Sequence, residues 1–423
     1  MSIELKNIDK SKNRVWYNYY VTTAIRKYFD FKSVFFIEYD IDISSVPDSI
    51  LVIPFLANIL PIAWVLDEEI VISEIDAEFY NSIHKFKSGY INMYPMLNFR
   101  GSIKCRNIVK NNFVNINNSS RIHPLCFFSG GVDSFNTLIR HIDEKPILLS
   151  IWGSDVNFDD FEGWNNINKI IDSTVNLFNL KSHKIKSSFR YFLNTELLSY
   201  KVQKSGDGWW HGFQHGIGII SHAAPIAWLY KSKICYFASS YSKKDPVTLP
   251  CASYPTIDEN LHFMETQVIH DGFEQFRQDK IDTIVKFKKE KKYNIKLHVC
   301  WQSQGGVNCN KCEKCLRTIL GIIVAHGNPD EFGLHYIPSN MKYLMDELNK
   351  KSDNIQYLIL LNNYFGTQIA FRNRNIIQKY PELMWFNKVN IKKNMLEAKD
   401  ISLIKKVKNF IKAYTYKIFK LFM

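Results

Sequence analysis

Ser129-Gly130-Gly131-Val132-Asp133-Ser134 is the stretch whose residue types most directly spell out a chemistry. It follows a short apolar run, residues 125–128, and precedes a helical pattern through about His141. Two adjacent glycines let a backbone turn tightly and approach a ligand with no Cβ in the way. The N–H groups that open a helix lack internal partners and point outward, so strand, Gly-Gly turn and helix make an anion cradle. Ser129 and Ser134 add hydroxyl donors for phosphate oxygens. Asp133 either holds the loop closed or contacts a phosphate-bound Mg²⁺. A capped Gly-Gly turn would have the same outline. No Gly-Lys-Ser/Thr follows, so this is not the loop that pairs a lysine with a γ-phosphate.

A second constellation lies further on. Of eight cysteines, Cys105, Cys126, Cys235 and Cys251 are scattered, whereas Cys300, Cys309, Cys312 and Cys315 fall within sixteen residues. Four thiolates at this spacing can enclose one Zn²⁺ tetrahedrally with no open position, a structural site; an iron–sulfur cluster is the rival occupant. Lys311, Lys314 and Arg317 favour the thiolate forms.

The string Ser-Gly-Gly-x-Asp-Ser after an apolar strand resembles the signature of the PP-loop ATP pyrophosphatase superfamily. With Cys-x8-Cys-x2-Cys-x2-Cys and then Leu316-Arg317, the chain resembles 7-cyano-7-deazaguanine synthase of queuosine biosynthesis, over roughly residues 125–320. Lys280-Ile281 also fits. The resemblance implies a doubly wound parallel five-stranded α/β sheet of the adenine nucleotide α-hydrolase type. It implies ATP, Mg²⁺ and Zn²⁺ as cofactors, and splitting of ATP between its α and β phosphates. AMP is placed on a carboxylate or amide, pyrophosphate leaves, and a nitrogen nucleophile displaces AMP. It makes Ser129, Asp133 and Ser134 catalytic, and the whole segment Ser129, Gly130, Gly131, Val132, Asp133 and Ser134 ATP-binding.

The match is partial. In place of the family's Tyr-Pro-Asp-Cys-Arg string stand Ser240-Tyr241-Ser242-Lys243-Lys244-Asp245 and Leu249-Pro250-Cys251-Ala252-Ser253-Tyr254-Pro255. Trp210-His211-Gly212-Phe213-Gln214-His215-Gly216 replaces its Arg-Asn element. The long front and back are also foreign to the synthase. They resemble divergent longer relatives from polysaccharide or antiviral defence gene clusters, some of which conjugate a deazapurine to an amine. The substrate therefore stays open, and a nucleotide-binding scaffold without turnover is the alternative of another class.

Other residues qualify for the site. His211, His215 and His222, spaced by four and seven, would share one face of a helix. There they would serve as pocket or core histidines, proton-transfer groups or metal ligands. Trp152-Gly153-Ser154-Asp155, directly after the second strand, would line an adenine and ribose pocket. His270-Asp271-Gly272, Arg277 and Lys280 would reach the nucleotide or leaving pyrophosphate, or simply start a helix.

Alternating strand and helix patterns must position these groups. The parallel strands are expected at residues 125–128, 146–152, 183–189, 234–239 and 295–301, with helices over 161–180, 217–230 and 275–289. Ligands in such sheets sit at the carboxyl ends of the strands. Ahead lies an α+β accessory block, residues 1–120, with strands expected at 33–43, 51–55, 62–66 and 69–75 and a polar linker at 111–120. A helical extension, 321–399, follows the ATP-binding segment 121–320. Residues 50–66 form the only membrane-span candidate, and Pro54, Asn58 and Pro61 favour two buried strands instead. No leader pattern is present, so a cytoplasmic location is expected.

The net charge of +13 is concentrated at the end. Residues 388–423 hold ten lysines against Glu397 and Asp400, a local +8 that leaves the body near +5, which disfavours nucleic acid. Leu403, Val407, Phe410, Tyr414, Ile418 and Leu421 recur at helical spacing, with Lys405, Lys408 and Lys412 off the stripe. Residues 400–423 thus read as a basic amphipathic helix that packs on the body or a partner, or lies on an anionic membrane. A protein partner for the front block and an oligomer are further expectations.

Overall fold

The computed structural model describes residues 2–113, 122–300, 302, 304–350, 352 and 355–398. The basic segment 400–423 and most of the asparagine-rich run lie outside the described residues. The chain divides into two compact units. The first comprises Met1–Ser240, Pro250–Phe273 and Ile295–Val307; the second comprises Tyr241–Leu249, Glu274–Asn294 and Asn308–Met423. These divisions differ from boundaries at residues 120 and 320.

The first unit is an α/β structure on one eleven-stranded, largely parallel sheet. In chain order its strands are β1 Ser2–Lys10, β2 Arg14–Val21, β3 Phe36–Tyr39, β4 Glu69–Asp76, β5 Ser102–Val109, β6 Leu125–Phe127, β7 Ile147–Trp152, β8 Lys181–Ser187, β9 Ile234–Ala238, β10 His262–Phe263 and β11 Thr266–Asp271. Their spatial order is β10-β11-β9-β6-β7-β8-β3-β2-β1-β4-β5. Five neighbours, β11, β9, β6, β7 and β8, are mutually parallel. All of β6 and the first four residues of β7 are buried, as expected for strands covered on both faces. Counted along the chain these five run 3-2-1-4-5, so the direction of winding reverses beside β6.

The front block extends this same sheet. β3 pairs antiparallel with β8, with Tyr39 opposite Ile185, and carries β2, β1, β4 and β5 outward. The outermost strand, β5, is mostly exposed and bears Lys104 and Arg106, charges that discourage pairing with another chain.

Two expected strands are corrected. Residues 51–55 and 62–66 belong to helices, Asp48–Leu51 and Ile53–Leu66. Twelve of the latter's fourteen residues are buried, so it lacks a polar face and its period of 3.6 is invisible in hydropathy. Asn58, buried within it, donates to the carbonyls of Pro54 (2.9 Å) and Gly218 (3.3 Å). Among the described residues no helix is long and apolar enough to cross a membrane.

The fifth parallel strand is β11, whereas residues 295–300 form no strand. β11 hid because its polar residues are buried with partners. Thr266 Oγ1 donates to the Ser232 carbonyl (2.6 Å), and His270 Nδ1 meets Asp258 Oδ2 (2.9 Å). Asp271 Oδ2 accepts from Thr137 Oγ1 (2.8 Å).

The second unit is helical, with Arg277–Lys291, Glu313–Val324, Asn340–Asn349 and Ile355–Asn373 as its main helices. A Cβ at Gly321 would fall 2.4 Å from Ile281 Cδ1, so glycine permits two helices to approach closely. Arg374 holds Asp282 with both guanidinium arms, at 2.8 and 2.6 Å.

Candidate functional site

The Ser129–Ser134 loop leaves the carboxyl end of β6, the central strand at which the winding reverses. In open α/β sheets ligands bind outside the carboxyl ends of the strands where the winding reverses. Gly130 has φ +77°, a left-handed conformation that side chains disfavour, and Gly131 is the N-cap of the helix Val132–Arg140. His298 N–H donates to the Gly130 carbonyl (2.8 Å), tying residues 295–300 to the loop. Ser129 is exposed, and Asp133 is half-buried in the helix's first turn. Ser134 is buried instead: its Oγ accepts from the Ser129 N–H (3.3 Å) and donates to the Gly131 carbonyl (3.1 Å). Its hydroxyl braces the loop from within.

Trp152-Gly153-Ser154-Asp155 follows β7 as expected. Gly153 has φ +101°, and a Cβ there would stand 2.1 Å from the Ser187 carbonyl oxygen. Trp152 stacks on Trp164 (5.5 Å between ring centres), and Lys186 Nζ lies 4.4 Å over the Trp152 ring. Arg190, just past β8, donates to the Ser154 carbonyl (2.5 Å) and rests 4.0 Å over Trp210. Burial pulls the Arg190 guanidinium below its ordinary range. Sequence reading missed Lys186 and Arg190, since lone basic residues in a basic chain carry no local signal.

The three histidines do not share a helix face. Trp210–Gln214 is a single π-helical turn, Gly216 at φ +89° interrupts it, and a new helix starts at Ile217. His222 is fully buried, with Nε2 2.8 Å from Ser187 Oγ and Nδ1 3.2 Å from the Ile219 carbonyl. Burial presses its pKa down to about 4, so it is a neutral core residue. His215 lies edge-on to Trp210. His211 Nδ1 meets both Asp207 oxygens, at 3.0 and 2.9 Å. Burial opposes its charge, but the Asp207 and Cys251 side chains outweigh this and raise its pKa to about 10. The Asp207-x3-His211 spacing was the signal available for that pair.

His270 and Asp271 are buried and turned to structure. Asp271 also meets His141 Nε2 (3.1 Å) and Arg140 (3.5 Å). Burial resists its charge, yet these partners and Thr137 hold its carboxyl below the usual range. Arg277 and the buried Lys280 belong to the helix Arg277–Lys291 of the second unit.

Cys300, Cys309, Cys312 and Cys315 come together as their spacing predicts, with all four sulfurs within 4.8 Å of one another. Tetrahedral zinc with Zn–S near 2.3 Å would separate its sulfurs by about 3.8 Å; Cys309 and Cys315 Sγ stand 3.9 Å apart. Asn310, at φ +57°, bends the chain between ligands, and the Cys312 N–H points at Cys309 Sγ (3.3 Å). Cys312 caps the helix Glu313–Val324 and Cys315 sits in its first turn, where the helix dipole favours thiolates. The donor set is compatible with zinc. Among the described residues it is also the only convergence of three or more such donors.

Compared with protein-family models, curated proteins and solved structures, the chain returns no match.

Proposed function

We propose that the chain is an ATP-dependent ligase that activates a carboxylate or amide by adenylation and joins it to a nitrogen nucleophile. One observation carries this reading: a Ser-Gly-Gly-x-Asp-Ser loop with a left-handed first glycine, at the reversal point of five parallel strands, opening onto a helix N-terminus. The N–H groups that open the helix and the exposed Ser129 hydroxyl suit the phosphates of ATP. Asp133 is the carboxylate that would hold Mg²⁺, which neutralises phosphate charge when bound. Trp152 and Trp164 offer apolar ring faces beside the loop, and Lys186 and Arg190 supply positive charge. Catalysis by these residues is orientation and charge stabilisation as pyrophosphate departs from the α-phosphate. The four cysteines, loaded with zinc, would pin the segment that follows His298. The resemblance of the loop makes a deazapurine acid the first acceptor to try, and the tail offers a membrane or partner contact separate from this chemistry.

The test is pyrophosphate release from ATP with 7-carboxy-7-deazaguanine and a panel of other carboxylates. Turnover lost in Asp133→Ala, with the fold intact by circular dichroism, is expected. Unchanged turnover in that variant would remove the loop from the mechanism. ATP binding without release across the panel would favour a nucleotide-binding scaffold.

A further inference from the structure

The connection between β2 and β3 ends in a braced turn that lies outside the proposed phosphate chemistry. Asp30 builds it. Its Oδ1 accepts from the Lys32 N–H (3.0 Å), and its carbonyl accepts from the Ser33 N–H (3.2 Å). Both ends of the turn are tied down. Asp30 N–H donates to the Phe192 carbonyl (2.9 Å), and Ser188 Oγ donates to the Val34 carbonyl (2.7 Å). Phe29 is buried against Tyr19 and Phe192, at 5.8 and 6.5 Å between ring centres. The turn so held presents Phe31, Lys32 and Val34 to solvent, with Phe31 42% exposed and Val34 55%.

Single exposed apolar residues are ordinary. What sets this turn apart is the charge around it. Arg26 and Lys27 open the short helical turn Arg26–Tyr28, and the Arg26 guanidinium lies 4.3 Å over the Phe31 ring. The helix Thr195–Lys201 packs beside that turn, and Asn194 N–H donates to the Tyr28 carbonyl (2.9 Å). The helix adds Leu197, Tyr200 and Lys201, all exposed, and Lys204 follows. Residues 26–34 and 195–204 hold five cations, Arg26, Lys27, Lys32, Lys201 and Lys204, against two acids, Asp30 and Glu196. All five cations are exposed.

An apolar tip ringed by cations is what an anionic lipid surface rewards. The cations are drawn to the headgroups, the apolar side chains enter the boundary below them, and tyrosine suits the boundary itself. Long basic side chains keep their charge in water while their stems cover apolar surface. A polynucleotide would use the same charge but not the tip. Bases gain by stacking on open aromatic faces. Val34 and Leu197 have none, and Arg26 occupies one face of Phe31.

We propose that this surface, with Phe31 and Val34 at its tip and Arg26, Lys27 and Lys32 around them, docks the protein on an anionic lipid bilayer. The proposal is independent of the ligase reading. It gives the front block, whose β2 and β3 carry the turn, a role in placing the protein on a membrane. One weak contact gives reversible binding, and stable anchoring takes two. Residues 388–423, with ten lysines, carry the charge for a second.

The experiment is cosedimentation of the full chain with vesicles of phosphatidylcholine alone, or mixed two to one with phosphatidylglycerol. It is run at about 0.1 M and about 1 M salt, across which the screening length shrinks from about 10 to about 3 Å. Wild-type protein is expected on the anionic vesicles, and at least about tenfold more weakly at high salt. Each cation near an anionic surface contributes about fivefold, so Arg26→Gln, Lys27→Gln and Lys32→Gln combined should weaken binding by more than about tenfold. Phe31→Ser with Val34→Ser leaves every cation in place and should weaken it about tenfold, by the apolar area no longer buried. Val34→Ser alone, at a side chain more than half exposed, gives the same direction without touching the Phe31 packing. Circular dichroism checks the fold of each variant. Anionic-vesicle binding unchanged in all three variants overturns the proposal and assigns the attraction to another segment. Loss in the cation variant alone, with both apolar variants at wild-type affinity, overturns the tip. Absence from vesicles, with poly(U) bound by wild type and not by the cation variant, overturns the lipid and gives the surface to nucleic acid.

Discussion

The two glycines of the phosphate loop predict opposite outcomes for the same substitution. Gly130 has φ +77°, and a Cβ there would lie 3.3 Å from Ile170 Cγ2 and 3.6 Å from His298 Cβ. The left-handed backbone costs a non-glycine residue about 1–2 kcal/mol, and the tight Ile170 contact adds to it. Gly131 has φ −83° and ψ 172°, an ordinary extended conformation, and its Cβ would meet nothing closer than 3.5 Å. Gly131→Ala should therefore leave stability unchanged or raise it by about 0.4–1 kcal/mol, through the unfolded chain's lost freedom. Yet the new methyl would stand 3.5 Å from Ser129 Oγ, the hydroxyl proposed above to meet phosphate. A displacement of about 1 Å at a reacting group can cost on the order of a hundredfold in rate. Urea denaturation and pyrophosphate release, run on both variants, separate the effects. Gly130→Ala loses stability, and Gly131→Ala keeps stability and loses turnover. Full ATP turnover in Gly131→Ala would refute the cradle, and wild-type stability in Gly130→Ala would refute the backbone argument.

Other outcomes follow from the same geometry. Metal analysis should find about one zinc per chain, and Cys312→Ser should lower the melting temperature, because a closed site contributes folding energy; a metal-free Cys312→Ser protein of wild-type stability would count against it. His222, neutral in the fold with a pKa near 4, makes stability fall as pH drops from about 6.5 toward 4. In that window the unfolded chain takes a proton that the native chain refuses, an effect of at most about 3 kcal/mol. Its imidazole proton resonances should stay flat from pH 8 to 5. His211 has the opposite sign: its raised pKa stabilises below about 6.5, and that contribution fades as pH climbs toward 10. Asp207→Asn should flatten that alkaline arm in urea midpoints, and an unaltered pH profile would contradict the pairing.

What could be read from the sequence was what is local. The Ser129–Ser134 string and the four cysteines are short and local; the string lies between a strand and a helix as read, and the four sulfurs come together as their spacing implies. Four of the five parallel strands were legible as apolar runs between turns. The fifth, β11, was not, because burial of Thr266, His270 and Asp271 depends on partners far away in the chain. The helix Ile53–Leu66 was misread for the converse reason: a helix buried all round has no stripe. β1 and β2 do alternate, with Ile3, Leu5, Val15, Tyr17 and Val21 inward, but a register shift between Leu5 and Asn7 breaks the pattern in β1. The histidine trio failed because Gly216 ends the helical run that their spacing assumed.

The seam between β3 and β8 has a meaning in time. Tyr39 and Ile185 face each other across it, roughly 150 residues apart in synthesis. At about 5–20 residues per second, a ribosome needs on the order of 10–30 s to deliver the second strand after the first. Throughout that interval the nascent front block presents β3 as an open edge, with Ile37 and Tyr39 on it and no partner yet made. The protein's birth thus includes a waiting period, in which a half-sheet stands exposed until its other half arrives.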